Sequence, residues 1–239
     1  MAGANNMFDC ILVNGDSYSA KNYKHKIYAD FLQQQLDVPV YNCAQIGSNN
    51  QRIIRSTLEH IHQYKNPLVL IGWSFIRRIE VWYYGKKQSI INRIPDRIRE
   101  IDDSKQSRFV TLDLLLNQNE ATLEQKCLVN EDLFVHKQLT DFYTNLYMFA
   151  HTLESMNIKY KFFSAAKNTD LPVNCFPYIE SLHQVQWCAQ NENFYKLHDF
   201  CILNWSKEND PDAHPVTGHL SENGHKLFAN LLQEILQST

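Results

Sequence analysis

Hydrophobic residues in this chain are grouped into short runs and longer periodic stretches. Apolar runs at 10–13, 38–41 and 68–71 contain β-branched residues and are each followed by small or polar residues, which predicts buried strands; residues 158–163 predict a fourth. Apolar residues recur at helical spacing over residues 23–36, 50–64, 131–156 and 221–236. Strands alternating with helices predict an α/β fold, a three-layer sandwich with a central parallel sheet.

Two stretches depart from this alternation. Residues 82–126 are richer in charged and amide side chains, and we expect an insertion there, partly helical, over one end of the sheet. Residues 165–211 are rich in aromatic residues and predict loops. With 239 residues the chain is long enough for one well-buried core and short for two full domains, so we expect a single domain over residues 1–239.

Composition and charge exclude some classes of binding partner. The 44% hydrophobic and 21% charged residues are typical of a folded globular protein. The 23 basic and 26 acidic residues leave a net charge of -3 without a dense Lys/Arg block, so no nucleic-acid partner is expected. The first nine residues lack a secretory signal pattern, and no apolar run approaches the ~18 residues of a membrane span, so we expect a cytoplasmic protein without a membrane partner.

The candidate chemistry begins directly after the first predicted strand, where residues 14–19 read NGDSYS. Ligands of open parallel sheets bind beyond the carboxyl ends of the strands. The glycine permits a tight turn, and Ser17 at the start of the next helix would face solvent beside N–H groups that can receive an oxyanion. An ordinary serine helix cap explains the same position equally well.

The loops after the second and third strands carry weaker signals. Gly47 lets the backbone approach a ligand closely and donate its N–H, although a plain turn would also contain a glycine. The arginines that follow the third strand could line a polar pocket or make surface ion pairs. Our candidates for contacting a substrate are Asn49, Trp73 and Arg78.

Residues 210–225 contain three histidines and two aspartates before and within the last predicted helix. This set could bind a metal, but neither HExxH nor another familiar ligand spacing is present. Acid–base use of one histidine explains the segment with fewer assumptions, so we expect no metal site. His225 lies inside the helix and is predicted to be structural.

Taken together, these segments resemble the SGNH (GDSL-like) hydrolase family over nearly the whole chain. Residues 15–19 are similar to the first block of the family, GDSxS, whose serine is the nucleophile and corresponds to Ser17. Residues 42–47 resemble the second block, in which a glycine N–H, here that of Gly47, forms part of the oxyanion hole. The resemblance implies the flavodoxin-like SGNH hydrolase fold.

The third block departs from the family pattern. It is normally GxND, and the equivalent stretch here reads GWSF, so Ser74 stands where the family's asparagine donates to the oxyanion. A hydroxyl donates one hydrogen bond and reaches less far than an amide. Ser74 is therefore our candidate donor, with Asn49 or Asn50 as a substitute.

The fifth block, normally DxxH, leaves two candidate bases. His219 fits the downstream family spacing through Gly224 and Ala229, whereas His214 fits the common His-Pro pairing. The positions three residues before them hold proline and valine, so Asp212 would serve either histidine from an unusual offset, or the site works as a dyad. The downstream spacing favours His219.

The resemblance implies a serine esterase without a metal or organic cofactor. Its substrate would be a small ester or an acylated glycan carrying O-acetyl groups. Two alternatives stay open: a catalytically silent binding or structural module on the same fold, and an acyltransferase that passes the acyl group to a sugar.

Overall fold

A parallel sheet flanked by helices forms the centre of the computed structural model, which describes residues 8–21, 24–76, 78–84, 107–113, 131–165, 180–196, 200–214 and 218–237. The strands are β1 (Cys10–Asn14), β2 (Val40–Asn42), β3 (Pro67–Trp73), β4 (Arg78–Tyr84), β5 (Ser107–Asp113) and β6 (Lys159–Ser164). The helices are α1 (Tyr28–Leu36), α2 (Asn50–Ile61), α3 (Glu131–Ser155), α4 (His183–Gln190), α5 (Ile202–Asn209) and α6 (Glu222–Gln237).

The sheet has the strand order β2-β1-β3-β6, and each of its strand pairs is parallel. Every residue of β1 and β3 is buried, which explains why these strands appear in the sequence as continuous apolar runs rather than as alternating ones. The carboxyl ends of all four strands meet at one edge of the sheet. The predicted α/β fold with a central parallel sheet is confirmed.

The core is divided between the two faces of the sheet because side chains alternate along each strand. Leu12 and Trp73 belong to the cluster on the face that α2 and α3 cover. Ile11 and Val13 belong to the opposite cluster, with residues of α1 and α6. The loops after β1, β2 and β3 therefore extend from strands that are packed between two layers of helices.

The structure describes two connecting segments that depart from the strand–helix alternation. Within the expected insertion the described residues form an antiparallel pair, β4 with β5; the rest of 82–126 lies outside the described residues, and helix there stays a prediction. The sequence of β4, RIEVWYY, is rich in the β-branched and aromatic residues that favour strands. The expected loop region 165–211 contains α4 and α5, each of eight residues and too short for a clear period.

No helix within these described ranges combines the length and the apolar character that a membrane crossing requires.

Candidate active site

The turn after β1 carries Ser17 at the carboxyl edge of the sheet. Gly15 is required there, since a Cβ would lie 2.6 Å from the Ser19 hydroxyl oxygen and 3.0 Å from the Gly72 carbonyl oxygen. The N–H groups of Ser19 and Ala20 donate to the Asp16 carbonyl at 3.0 and 2.8 Å, which closes a single tight turn. Ser17 is half-buried in this turn. We expected the nucleophile candidate at the start of a helix, but α1 begins only at Tyr28.

The ring of His219 lies against the Ser17 side chain. Its Nε2 is 2.9 Å from Ser17 Oγ, although the two residues are 202 positions apart in the chain. The imidazole stacks on the Tyr18 ring, with centroids 4.6 Å apart and planes 19° from parallel. A hydroxyl within hydrogen-bond reach of an imidazole nitrogen is the arrangement that activates a serine nucleophile.

A closed loop presents His219 to Ser17. The N–H of His214 donates to the His219 carbonyl at 2.9 Å, and the N–H of Gly218 donates to the His214 carbonyl at 2.7 Å. Gly218 has a φ of 62°, a left-handed conformation that favours glycine. The side chain of His214 is exposed, as is that of Asp212, and neither is brought to the Ser17 hydroxyl.

The loop after β2 supplies a candidate oxyanion donor. Gly47 is buried with a φ of 82°, again left-handed, and the N–H of Gln45 donates to the Gly15 carbonyl at 3.2 Å, so this loop is tied to the serine turn. The N–H groups of Ser17 and Gly47 have no acceptor within the part of the chain that the structure describes. Backbone N–H groups without an acceptor, on two loops that are joined by a hydrogen bond, are candidates for holding a developing oxyanion.

The comparisons with known proteins bear on the fold. Neither a family model nor a curated protein sequence matches the chain. Among solved structures, the psychrotrophic esterase EstA from Pseudoalteromonas sp. is similar at a TM-score of 0.51 and 13% identity, over 96% of this chain and 97% of that one. A structure of TesA is similar at a TM-score of 0.50 and 13% identity, over 96% and 98%. The chain has the SGNH hydrolase fold. At 13% identity the similarity shows the fold alone. Conclusions about the chemistry therefore have to come from the geometry of the site.

At the third-block position of the SGNH fold, Ser74 is turned towards a buried carboxylate. Its hydroxyl donates to Asp16 Oδ2 at 2.7 Å, and the Asp16 side chain is 0% exposed. Arg78 Nη1 donates to the same oxygen at 3.2 Å and to Ser74 Oγ at 3.0 Å. Because a hydroxyl has one proton, Ser74 cannot donate to an oxyanion while it serves Asp16. Sequence reasoning missed this role of Asp16, for which the family motif gives no signal.

The two asparagines considered as substitute donors both bind backbone groups. Asn49 is buried and caps α2, where its Oδ1 accepts from Arg52 N at 2.7 Å. The Asn50 amide accepts from Ser74 N at 2.8 Å and donates to the Ser74 carbonyl at 3.1 Å. Asn50 therefore fixes the Ser74 peptide and uses one of its two amide protons to do so.

Trp73 does not lie where a substrate could contact it. Its side chain points into the core and is 1% exposed, with edge-to-face contacts to Phe142, Phe149 and Phe162. The expectation of a substrate contact at Trp73 is wrong because the residue closes β3 on the core face. Arg78, also a candidate, has a side chain that is 11% exposed and bound to Asp16.

Asp210, which sequence reasoning did not assign a role, anchors the histidine loop. It is buried, accepts from the Ser221 N–H at 2.7 Å and accepts from the Ser221 hydroxyl at 2.8 Å. Ser221 Oγ also accepts from the Gly224 N–H at 3.1 Å, so Ser221 caps α6. The partners are 11 residues apart, and no local sequence pattern marks such a contact.

Two ionisable groups beside the Ser17–His219 pair have pKa values that are shifted away from the range useful for acid–base catalysis. Burial, and next the charge of Asp16, raise the pKa of the Tyr18 phenol above its usual range, so this ring acts as a neutral stacking surface. Burial, and next the His25 ring, lower the pKa of His225 to about 3. His225 is thus a neutral, buried residue of α6, in keeping with its predicted structural place.

Proposed function

We propose that the protein is a serine acyl hydrolase that cleaves ester bonds, with Ser17 as nucleophile and His219 as general base. The observation that carries this proposal is the 2.9 Å separation of His219 Nε2 from Ser17 Oγ. The SGNH fold, shared with an esterase from Pseudoalteromonas sp., supports the same reaction class.

The proposed reaction follows from the positions of these groups. His219 Nε2 takes the Ser17 proton as Oγ attacks the ester carbonyl carbon, and the carbonyl oxygen becomes an oxyanion held by the N–H groups of Ser17 and Gly47. The intermediate collapses, and the alcohol leaves with the proton from His219. Water then adds to the acyl-enzyme while giving its proton to His219, and the carboxylic acid is released as Ser17 recovers its proton.

We assign Asp212 no direct part, because its side chain is exposed and its backbone N–H donates to Asp210 Oδ1 at 3.3 Å. The position three residues before His219, where the family has its aspartate, lies outside the described residues. Stacking on Tyr18 and the hydrogen bonds between His214, Gly218 and His219 orient the imidazole of the proposed Ser17–His219 pair.

Small acyl esters and O-acetyl groups of glycans are the substrates we propose. An acyltransferase would use the same acyl-enzyme and differ only in passing the acyl group to a sugar hydroxyl. A silent module on this fold would form no acyl-enzyme. Turnover of an acetylated glycan with and without a free sugar acceptor separates hydrolysis from transfer.

The test is hydrolysis of p-nitrophenyl acetate by the purified chain and by Ser17→Ala. We expect Ser17→Ala to lose the activity and to keep the circular dichroism spectrum and melting temperature, because the side chain is half-buried at a turn. Ser155→Ala, at an exposed hydroxyl that donates to the Thr152 carbonyl at the end of α3, is the matched control. Unchanged hydrolysis by Ser17→Ala would place the nucleophile elsewhere.

A further inference from the structure

We propose that Arg78 is a positioning residue that holds the nucleophile turn and the oxyanion loop in register. This inference rests on the proposed function of the Ser17–His219 pair. It concerns a residue to which the resemblance gives no role, and which sequence reasoning took for a substrate contact.

One guanidinium nitrogen of Arg78 reaches the loops after β1, β2 and β3 at the carboxyl edge of the sheet. Nη1 lies 3.2 Å from Asp16 Oδ2, 3.0 Å from Ser74 Oγ and 3.4 Å from the Ser48 carbonyl oxygen. The last contact is the longest and weakest of the three. These acceptors follow β1, β3 and β2, so the side chain connects three separate segments.

Two of these acceptors are immediate neighbours of the proposed catalytic groups. Asp16 precedes the nucleophile Ser17, and Ser48 follows the oxyanion donor Gly47. A change in the position of either acceptor would move the oxyanion donor relative to the nucleophile. Stabilisation of an oxyanion depends on donors that are already in place, so such a movement would be felt in the transition state.

Arg78 is itself held firmly. Its guanidinium lies 4.7 Å from the centroid of the Phe75 ring, and its N–H donates to the Phe75 carbonyl at 3.2 Å. The carboxylate of Asp16 is fully buried, and Arg78 is the cation paired with it among the described residues. A buried ion pair with further hydrogen bonds is rigid, which suits a positioning role.

The hydrogen-bond network of Arg78 depends on the serine that stands at the third-block position. An asparagine there would present an amide to the oxyanion, whereas Ser74 directs its one proton to Asp16 and accepts from Arg78. We infer that this chain replaces a direct donor with a charged link that fixes the two backbone donors. The loss of the link should therefore lower turnover more than substrate affinity.

The first test compares Arg78→Ala with Arg55→Ala, an arginine on α2 whose partner is Glu59 at 3.2 Å. We expect kcat for p-nitrophenyl acetate to fall about 100-fold in Arg78→Ala, within the range for losing an oxyanion contact. KM should stay within a few-fold, and millimolar guanidinium ion should restore part of kcat. Arg55→Ala should match the wild type. A folded Arg78→Ala variant with wild-type kcat would overturn the inference.

The second test separates positioning from charge balance alone. The double variant Asp16→Asn/Arg78→Met removes both buried charges, so it should fold even if Arg78→Ala does not. We expect its melting temperature to be close to that of the wild type while kcat and the rate of fluorophosphonate labelling remain low. Recovery of wild-type kcat would mean that Arg78 only neutralises Asp16, and would overturn the inference.

The two proposals fail in different ways. If the wild type labels at Ser17 and the Arg78 variants label at the same rate, the positioning role is wrong and the proposed function stands. If the wild type is not labelled, or labelling survives Ser17→Ala, the proposed function is wrong and this inference falls with it.

Discussion

At the scale of single residues, the site depends on which imidazole faces the serine. Serine is a weak nucleophile unless a base lies within hydrogen-bond reach, and His219 has that position at 2.9 Å. His214 belongs to the same loop, but its exposed side chain is not at the Ser17 hydroxyl. The two histidines therefore form a matched pair for mutation.

We expect His219→Ala to lower kcat by about a thousandfold or more, because catalytic groups that act as a unit fail together. His214→Ala and Asp212→Asn should each stay within a few-fold of the wild type. Steady-state hydrolysis of p-nitrophenyl acetate measures all three. If kcat falls more in His214→Ala than in His219→Ala, and falls by a similar factor in Asp212→Asn, then His214 and Asp212 are the catalytic pair.

Ser74→Ala tests whether this hydroxyl donates to the oxyanion or to Asp16. Because its proton is directed to Asp16 at 2.7 Å, we expect the free energy of unfolding to fall by about 1–3 kcal/mol, the range for a buried charged hydrogen bond. The value of kcat should fall less than tenfold. Urea unfolding and steady-state kinetics check both. A hundredfold loss of kcat at unchanged stability would instead identify Ser74 as an oxyanion donor.

His225 gives a prediction about pH. Its pKa in the folded protein, about 3, is below the ordinary value of about 6.5, so the native state keeps this ring neutral where the unfolded chain binds a proton. Its contribution to stability is therefore present above pH 6.5 and lost as the pH falls towards 3. Between pH 7 and pH 5 the loss should be about 2 kcal/mol.

Urea unfolding of the wild type and of His225→Gln at several pH values measures this contribution. The glutamine variant has no titrating ring at this position, so its stability should vary less over that range. Equal pH dependence in the two proteins would contradict a neutral, buried His225.

At the scale of secondary-structure elements, α6 determines where the histidine loop is held. A Cβ on Gly224 would lie 1.9 Å from Asp210 Oδ2, so the helix can approach the Asp210 carboxylate only with glycine there. That carboxylate accepts from both the N–H and the hydroxyl of Ser221, which precedes the helix. The start of α6 and the loop with His219 are thus fixed by one contact.

Gly224→Ala should therefore destabilise the protein, which is opposite to the effect that helix propensity alone predicts. In an ordinary helix interior, alanine is favoured over glycine by about 1 kcal/mol. Here we expect a loss of about 2–3 kcal/mol in the free energy of unfolding, together with a lower kcat, because the Asp210 carboxylate must move. Asn223→Ala, at an exposed position of the same helix, is the control. A more stable Gly224→Ala variant would show that the contact with Asp210 is not tight.

Elements were predictable where burial or periodicity was strong. The strands β1 and β3 are buried throughout, and α2 and α6 pack one apolar stripe on the sheet, so their patterns are clear in the sequence. Helix α5 has eight residues, which is too few for a period to be recognised. The β4–β5 pair was missed because charged residues within and around it masked its β-branched and aromatic content.

At the scale of the whole molecule, the parallel topology brings Ser17 and His219, which are 202 positions apart, to one edge of the sheet. The pairing of Ser17 with His219 could be anticipated because the family blocks mark both positions and the strand order predicts a shared edge. The partners of Ser74, Asp16 and Asp210 could not, since no sequence pattern marks these contacts and each depends on side-chain packing. The contact between Ser17 and His219 was therefore predictable, and the groups that hold these two residues were not.

The proposed reaction requires that Ser17 is an activated nucleophile. The structure of the Pseudoalteromonas esterase was determined with monoethylphosphonate as an inhibitor, and a phosphonate probe suits the same test here. The wild type, Ser17→Ala and His219→Ala would each be treated with a fluorophosphonate and digested, and the adduct located by tandem mass spectrometry. We predict one adduct on Ser17 in the wild type, none in Ser17→Ala, and much slower labelling of His219→Ala. An adduct on another serine, or a folded wild-type protein that stays unlabelled, would contradict the account.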